Sequence, residues 1–238
     1  EELRELALRN LKIKYEGDIL NLANEEKTYL TKEYLLKSLS SFTLDDLIQT
    51  ILHRPNILLK RARNHSSFDV VHRKMNPLSH LTFTADCQIM TPKGVIMGNF
   101  SSKHRRGEVE ILRFCLQKLG VSILHHLRDK QFLEGSDFIS CSDDLCFIGV
   151  GYHSNLEAVM SLLNENLLKY KKVVLVKDLY DQSSERMHLN KFFNLVDKNT
   201  VVMLEDLIGE RSPIKRMLEV WEYSDSQQKY DLVTEEEF

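Results

Sequence analysis

The feature that most constrains the fold of this chain is a repeated order of elements, strand-strand-helix-strand, within units of roughly 50 residues. In the first unit, residues 81–90 are β-rich, a Thr-Pro-Lys-Gly turn follows, and residues 95–97 resume a strand. A helix is predicted from about residue 108 to residue 119, and a strand over residues 121–124. Such repetition favours an α/β fold of modules arranged around an axis over one doubly wound sheet.

A second unit repeats this order. Residues 137–140 and 145–150 are predicted to form a hairpin, and Ser154-Asn155-Leu156-Glu157 matches the capping box of a helix that continues to about residue 168. Residues 172–176 form the next strand. Further along, helices are predicted over residues 187–196, 213–223 and, as a first turn, 234–238, with a strand over residues 201–204.

The first 75 residues have helical spacing and show no strand-like alternation. Leu6 and Leu11 belong to one helical stripe, and Thr43 with Asp46 could cap a further helix. We therefore predict two domains, a small helical subdomain over residues 1–75 and an α/β domain over residues 76–238.

Composition excludes several classes of protein. The 42% hydrophobic content supplies a real core, and no apolar run approaches the roughly 20 residues that span a bilayer. A net charge of -3 gives no overall attraction to nucleic acid or to an anionic membrane. Four cysteines are ordinary for a reducing intracellular compartment, such as cytoplasm or an organelle matrix.

Two of the cysteines lie close enough in sequence to raise the question of zinc. Cys141 and Cys146 would need two more ligands, and His125-His126 is the nearest candidate pair. Packing of both thiols as small apolar groups on facing hairpin strands is the simpler interpretation. We predict no metal and no cofactor.

Three short segments place polar residues at element boundaries, where sites are often built. They are Phe-Thr-Ala-Asp at residues 83–86, Leu-Glu-Gly-Ser-Asp-Phe at residues 133–138 and Met-His-Leu-Asn at residues 187–190. Singly, such residues are also common in turns, bends and caps. Their meaning depends on their combination and order.

In that order the segments resemble the arginine deiminases of the guanidine-modifying enzymes, which carry Phe-Thr-Arg-Asp, Glu-Gly-Gly-Asp and Met-His-Leu-Asp at similar separations. Arg-Arg-Gly-Glu at residues 105–108 and Phe-Ile-Gly-Val at residues 147–150 resemble further family segments. The resemblance covers essentially the whole chain, with residues 1–75 similar to the family's helical insert. It implies a pentein-type α/β propeller, of which this chain would form an incomplete ring.

The resemblance also implies a chemistry. In the family a cysteine thiolate attacks the guanidinium carbon, ammonia leaves, and water releases citrulline. Paired carboxylates hold the flat cation, and Asp86 and Glu134 match those acids. His188 matches the histidine that protonates the leaving amine and then activates water. Positions that match substrate-binding residues are Asn190, His153, Asp137 and Arg105.

The cysteines depart from the family pattern. The family nucleophile lies near the C-terminus in a Gly- and Asn-rich segment, and this chain stops at Phe238 before such a segment. Cys87 follows Asp86 directly, but on a strand it should point to the opposite face. The start at Glu1 without Met suggests a fragment or a chain that has been trimmed.

Other departures fall on substrate-contacting positions. Ala85 replaces an arginine and His80 an asparagine. His153 replaces an arginine that grips the substrate carboxylate, and Asn190 replaces a guanidinium-binding aspartate, so both contacts are weakened. We therefore expect a catalytically inactive arginine-deiminase-like protein that serves as a binding or assembly module. The alternative is an arginine deiminase-type hydrolase, producing citrulline and ammonia, whose cysteine segment is missing from this chain.

Three kinds of partner follow from these predictions. Another protein chain would cover the open strand edges of an incomplete ring. Free arginine or a related guanidine would bind if the pocket is competent, and no membrane contact is expected. RNA is a further candidate, although the net charge opposes it; the basic residues concerned are Lys60, Arg61, Arg63, Lys103, Arg105 and Arg106.

Overall fold

The computed structural model describes residues 1–62, 68–178, 181, 183–207, 212 and 215–237. The chain divides into two compact units, Glu1–Ser79 and His80–Phe238. The sequence analysis predicted a domain boundary between residues 75 and 76. Within the described ranges, no helix has both the length and the apolar character needed to cross a bilayer.

The Glu1–Ser79 unit combines helices with a three-stranded sheet. Its helices are α1 (Glu2–Asn10), α2 (Asn24–Thr28), α3 (Lys32–Leu39) and α4 (Leu44–His53). Its strands are β1 (Lys12–Tyr15), β2 (Asn56–Arg61) and β3 (Phe68–Lys74), with β2 parallel to β1 and antiparallel to β3. The prediction of a helical region is wrong for these strands, because short apolar runs such as Ile57-Leu58-Leu59 do not distinguish helix from strand.

Helix α4 has the predicted cap. Thr43 Oγ1 accepts a hydrogen bond from the Asp46 N–H at 3.2 Å, and the Asp46 carboxylate accepts one from the Thr43 N–H at 2.9 Å. The helix buries Leu47 and Ile51 and ends at His53, and the next residue, Arg54, has a left-handed φ of 48°. The chain therefore turns sharply from α4 into β2.

The His80–Phe238 unit contains two successive strand-strand-helix-strand units, as predicted. The first comprises β4 (Gln88–Thr91), β5 (Gly94–Met97), α5 (Arg106–Lys118) and β6 (Ile123–His126). The second comprises β7 (Phe138–Ser140), β8 (Leu145–Val150), α6 (Leu156–Asn164) and β9 (Lys172–Lys177). In both, the first two strands are antiparallel and the helix crosses over to a third strand parallel to the second. This mixed α/β arrangement is what the repetition in the sequence indicated.

The three helices predicted after residue 180 are wrong. Residues 193–197 and 200–203 form the hairpin strands β10 (Phe193–Asp197) and β11 (Thr200–Met203). The C-terminal region forms β12 (Met217–Ser224) and β13 (Lys229–Glu237). Strand β12 pairs along six residues with β9, whose Val173 and Leu175 are fully buried. Pairing with a buried strand outweighs the local helical preference of this segment.

The largest sheet of this unit has the strand order β13-β12-β9-β8-β7. Its buried side chains and those of α6 form the main core, which includes Ile148, Leu162 and Leu175. Strand β13 lies at one edge of the sheet, and its last residues, Glu235, Glu236 and Glu237, are exposed.

Candidate functional site

Three short 3-10 turns carry the predicted acids and histidine. The turns are Thr84–Cys87, Gly135–Asp137 and Leu189–Lys191, and they precede the first strands of three hairpins, β4, β7 and β10. Asp86 lies within the first turn, while Glu134 and His188 immediately precede the second and third. The site is therefore built from corresponding positions of three hairpins.

Gly135 allows two of these turns to pack together. A Cβ atom at this position would lie 1.9 Å from the carbonyl oxygen of Ala85 and 2.2 Å from that of Gln88. Because both neighbours are backbone atoms, only glycine fits. This close approach of the two backbones sets the position of Glu134 relative to Asp86.

Arg105, at the start of α5, is bound by the acids of the site. Its Nη1 lies 2.9 Å from Asp86 Oδ2 and 3.7 Å from Glu134 Oε2, and its Nε donates to Glu108 Oε2 at 3.0 Å. The guanidinium carbon lies 4.1 Å from the ring centre of Phe100. The resemblance gave Arg105 a substrate-binding role. In this structure its guanidinium instead binds the carboxylates themselves.

Glu134 is almost fully buried, with 1% of its surface exposed. Its Oε1 lies 3.2 Å from His153 Nδ1 and its Oε2 lies 3.5 Å from His188 Nε2. The two imidazole rings stack, with centroids 4.9 Å apart. Nevertheless, no hydrogen bond from the described residues reaches either carboxylate oxygen. A buried carboxylate without donors is unfavourable unless a ligand supplies them.

Asp137 orients His188. Its Oδ2 lies 3.2 Å from His188 Nδ1 and accepts a hydrogen bond from the Ser154 hydroxyl, and its Oδ1 accepts the Leu189 N–H at 2.9 Å. These contacts leave His188 Nε2 facing Glu134. The imidazole is thus held between two carboxylates.

The same contacts change the protonation of His188. Burial opposes its charged form, but the hydrogen bond with Asp137 and the charges of Asp137, Glu134 and Asp86 outweigh burial, so the pKa of His188 is raised above 6.5. A protonated imidazole in this position can donate a proton to a neighbouring group through Nε2.

None of the four cysteines, all of which are described, supplies a reactive thiolate at this position. Burial, together with the negative charges of Glu108 and other acids, raises the pKa of Cys87 to about 12. Cys146 is buried in the main core, and burial raises its pKa further. Cys115 is exposed on α5, and Cys141 follows β7 at the hairpin turn. A neutral buried thiol is a poor nucleophile.

We use the term acid site for the carboxylates and cations described above: Asp86, Glu108, Glu134, Asp137, Arg105, His153 and His188. Asp86, Glu134 and His188 each offer one ligand atom within 4.8 Å of the others. In the described part of the chain this is the one group with such spacing, so Cys141, Cys146, His125 and His126 form no zinc site there. The bond between Arg105 and Asp86 shows that these oxygens accept a guanidinium.

Some of the predicted site residues lie elsewhere or have other partners. The side-chain oxygen of Asn190 is buried, and among the described residues it accepts no hydrogen bond. Arg61 pairs with Glu26 at 3.0 Å, and Arg106 Nε donates to the Phe100 carbonyl at 2.9 Å. Lys60 and Lys103 are exposed, and Arg63 lies outside the described residues.

Sequence reasoning missed three contributors to the acid site. Glu108 pairs with Arg105 three residues earlier, a helical spacing that could have indicated it. The Ser136 hydroxyl donates to Asp86 Oδ1, and it lies within the second motif. Ser154 was predicted to cap α6, but Asn155 does so and Ser154 contacts Asp137 instead.

Comparison with known proteins identifies the family to which the chain belongs. A family model described as arginine deiminase matches residues 2–237, and the chain belongs to the arginine deiminase family. The family resemblance read from the three motifs is therefore confirmed. No curated protein sequence matches the chain.

Several solved structures are similar in part. The N-terminal domain of ArgZ, an arginine dihydrolase from the ornithine-ammonia cycle in cyanobacteria, is 18% identical with a TM-score of 0.46, covering 60% of this chain and 46% of that chain. DDAH from Pseudomonas aeruginosa, solved with citrulline, is 19% identical with a TM-score of 0.42, covering 51% and 45%. A mutant of AgrE with L-arginine is 16% identical with a TM-score of 0.47, covering 62% and 19%. The chain thus matches less than half the length of each.

Proposed function

We propose that the acid site binds a guanidinium cation, such as that of arginine, and that this chain alone holds the cation without hydrolysing it. The charges of the site support binding. Four carboxylates face one permanent cation, Arg105, and three histidines, because His80 Nδ1 also lies 3.9 Å from Glu108 Oε1, so the site carries a net negative charge when the histidines are neutral. A guanidinium supplies both a positive charge and several N–H donors in one plane.

Glu134 is the observation that carries this proposal. It is buried and lies between cationic or potentially cationic groups, yet both of its oxygens lack a hydrogen-bond donor among the described residues. Two parallel N–H groups of a guanidinium would satisfy the two oxygens together. Free arginine and a peptide-linked or decarboxylated guanidine share this chemistry.

The proposed lack of hydrolysis rests on the thiols. Attack on the guanidinium carbon requires a thiolate, and the thiol nearest the acids, Cys87, has a pKa of about 12. Without a covalent intermediate, bound guanidinium would leave unchanged. The protein would then act as a binding or assembly module.

A hydrolase is the second candidate, and His188 favours it. Its raised pKa suits a general acid that protonates the leaving amine, and its Nε2 faces the proposed guanidinium position at Glu134. If a cysteine-bearing segment accompanies this chain, its thiolate would attack the guanidinium carbon and ammonia would leave. Water would then release citrulline and regenerate the thiolate.

The wider architecture is also a proposal. The two strand-strand-helix-strand units and the β10-β11 hairpin fit successive modules of an incomplete pentein-type propeller. Strands β7 and β13 are the edges of the largest sheet, and we propose that another chain pairs with one of them. A monomer that persists at high concentration in light scattering would contradict this pairing.

Isothermal titration with arginine tests the binding proposal, with citrulline as the uncharged comparison. We expect arginine to bind and Glu134→Gln to weaken it about tenfold or more, because a charge-assisted hydrogen bond is lost. The matched control is Glu110→Gln, which removes a half-exposed acid paired with Arg113 on α5. Absence of arginine binding would contradict the guanidinium site.

A parallel assay for citrulline separates the two candidates. Arginine binding without citrulline release supports the binding module. Release of citrulline by this chain supports the hydrolase and requires a nucleophile other than Cys87, which Cys87→Ser would check.

A further inference from the structure

A polar cavity lies within the Glu1–Ser79 unit. Its volume is about 200 Å³, and its lining consists of three cationic and three carboxamide side chains. We call it the cation cavity, and its residues are Asn10, Lys12, Arg54, Asn56, Lys74 and Asn76. None of these residues belongs to the acid site.

Strand register places the two lysines of the cavity in one row. Lys12 of β1 pairs with Asn56 of β2, and Asn56 pairs in turn with Lys74 of β3. Directly paired residues project from the same face of a sheet. With neighbouring strands about 4.8 Å apart, the backbones of the two lysines lie roughly 10 Å apart across Asn56. Both positive charges therefore flank one opening.

Arg54 adds a third cation at the end of α4. Its left-handed φ of 48° is a conformation that glycine adopts at little cost and that a long side chain adopts at a cost of about 1 kcal/mol. The turn itself would be satisfied by glycine. The arginine side chain, which the turn does not require, lines the cavity.

The cations are not balanced within this unit. In residues 1–62 and 68–79, no ion pair joins Lys12, Arg54 or Lys74 to a carboxylate. Nor are they needed to cap helix α4, since the His53 carbonyl accepts the Asn76 N–H at 3.0 Å and the Leu52 carbonyl accepts the Leu78 N–H at 3.0 Å. Three like charges around one cavity repel one another unless an anion lies among them.

The carboxamides complete the donor set. Asn10 is 8% exposed, and its side-chain nitrogen donates to the Leu6 carbonyl at 2.9 Å, which fixes the amide at the cavity wall. Asn56 lies between the two lysines, and Asn76 follows β3. Amide donors combined with Lys and Arg are the groups that bind the several oxygens of a phosphate.

We propose that the cation cavity binds a small dianionic phosphate, either inorganic phosphate or the terminal group of a phosphomonoester. Its volume exceeds that of phosphate but lies below the roughly 300–1,000 Å³ of pockets for larger organic ligands. A polynucleotide backbone is a poorer match, because its phosphodiesters carry one charge each and need a long groove.

Isothermal titration of the full chain with inorganic phosphate, at fixed ionic strength, tests the proposal. We expect one phosphate per chain, with Lys12→Gln and Lys74→Gln each weakening binding about tenfold. Lys14→Gln is the matched control, because Lys14 lies two residues further on the same face of β1 and outside the cavity lining. An equal loss with Lys14→Gln would show a diffuse field and overturn the proposal.

Arg54→Gly separates binding from a structural role. It suits the left-handed backbone, so the melting temperature should hold or rise while phosphate affinity falls. Glycerol 3-phosphate and a single-stranded RNA distinguish the sources of the phosphate group. Binding of RNA alone, or of no phosphate compound, would overturn the proposal.

Discussion

The acid site and the cation cavity both collect charges of one sign, but they do so in different surroundings. The acid site is buried, and each carboxylate lies near Arg105, a histidine or a hydroxyl donor. The cations of the cavity are exposed or half-buried and have no acidic partner among the described residues of their unit. A buried charged side chain needs a partner in the folded protein. Exposed cations do not, because water and salt screen their mutual repulsion while no ligand is bound.

This difference predicts opposite effects of deletion on stability. Removing a group from the acid site leaves its neighbours buried without partners and lowers the free energy of unfolding. Removing a cation from the cavity relieves repulsion and should leave stability unchanged or raised.

The largest effect is expected at Asp137. Asp137→Ala removes the acceptor for His188, Leu189 and Ser154, all of which are buried, and should lower the free energy of unfolding by about 3 kcal/mol or more. Urea denaturation measures this loss. Asp143→Ala, at an exposed turn position, is the control and should stay within about 0.5 kcal/mol of the original protein. Similar losses in both variants would contradict the buried network.

Gly135→Ala should follow in size. Its Cβ would meet two backbone oxygens, so we expect a loss of about 2–3 kcal/mol together with weaker arginine binding. Gly120→Ala is the comparison. The φ of 72° at this position is strained for alanine, but a Cβ atom added there would meet no neighbouring atom within 4 Å. Thermal melting should therefore show a loss of about 1 kcal/mol there, without an effect on binding. Normal arginine binding by Gly135→Ala would show that the turns need not touch.

His188 provides a pH-dependent test. Because its pKa is raised on folding, its stabilisation is fully present below the unfolded value of 6.5 and is lost as pH rises through the folded pKa. The stability difference between the original protein and His188→Gln should therefore shrink as the pH rises from below 6.5 through the folded pKa of His188. Urea denaturation across this range measures it, and NMR titration of the His188 ring gives the pKa directly. A difference that grows with pH would reverse the assigned direction.

The smallest change in the free energy of unfolding, and the one expected to be zero or a gain, is expected for substitutions in the cation cavity. Without phosphate, Lys74→Gln should change the free energy of unfolding by less than about 0.5 kcal/mol, and Arg54→Gly should raise it by a similar amount. Calorimetric melting at low salt measures both. A marked loss of stability in either variant would mean that these cations support the fold directly, and the contrast with the acid site would fail.

Much of the acid site could be predicted because its residues lie in short motifs at element boundaries. The resemblance of these motifs, taken together, to those of arginine deiminases identified Asp86, Glu134 and His188, and the structure brings the three residues together through three turns. The repeated strand-strand-helix-strand order could also be predicted, since the alternation of apolar and polar residues and the presence of turn residues are local signals.

The features that the sequence did not predict depend on contacts between residues that are far apart in the sequence. Strand β13 ends in three glutamates, which favour helix locally, but pairing with β12 makes it a strand. The sequence also does not show that Arg105 would bind the acids rather than a ligand, because this depends on how α5 meets the first turn. The cation cavity was missed since Lys12, Asn56 and Lys74 meet only through strand register.

The exposed edge at β13 limits how copies of this chain could meet. The strand begins with a positively charged residue, Lys229, and ends with three negatively charged residues, Glu235, Glu236 and Glu237. Parallel stacking in register, as in a fibril, would set glutamates against glutamates. An antiparallel pair related by a two-fold axis would instead set the acidic end of one strand beside the lysine of the other, which gives a closed dimer.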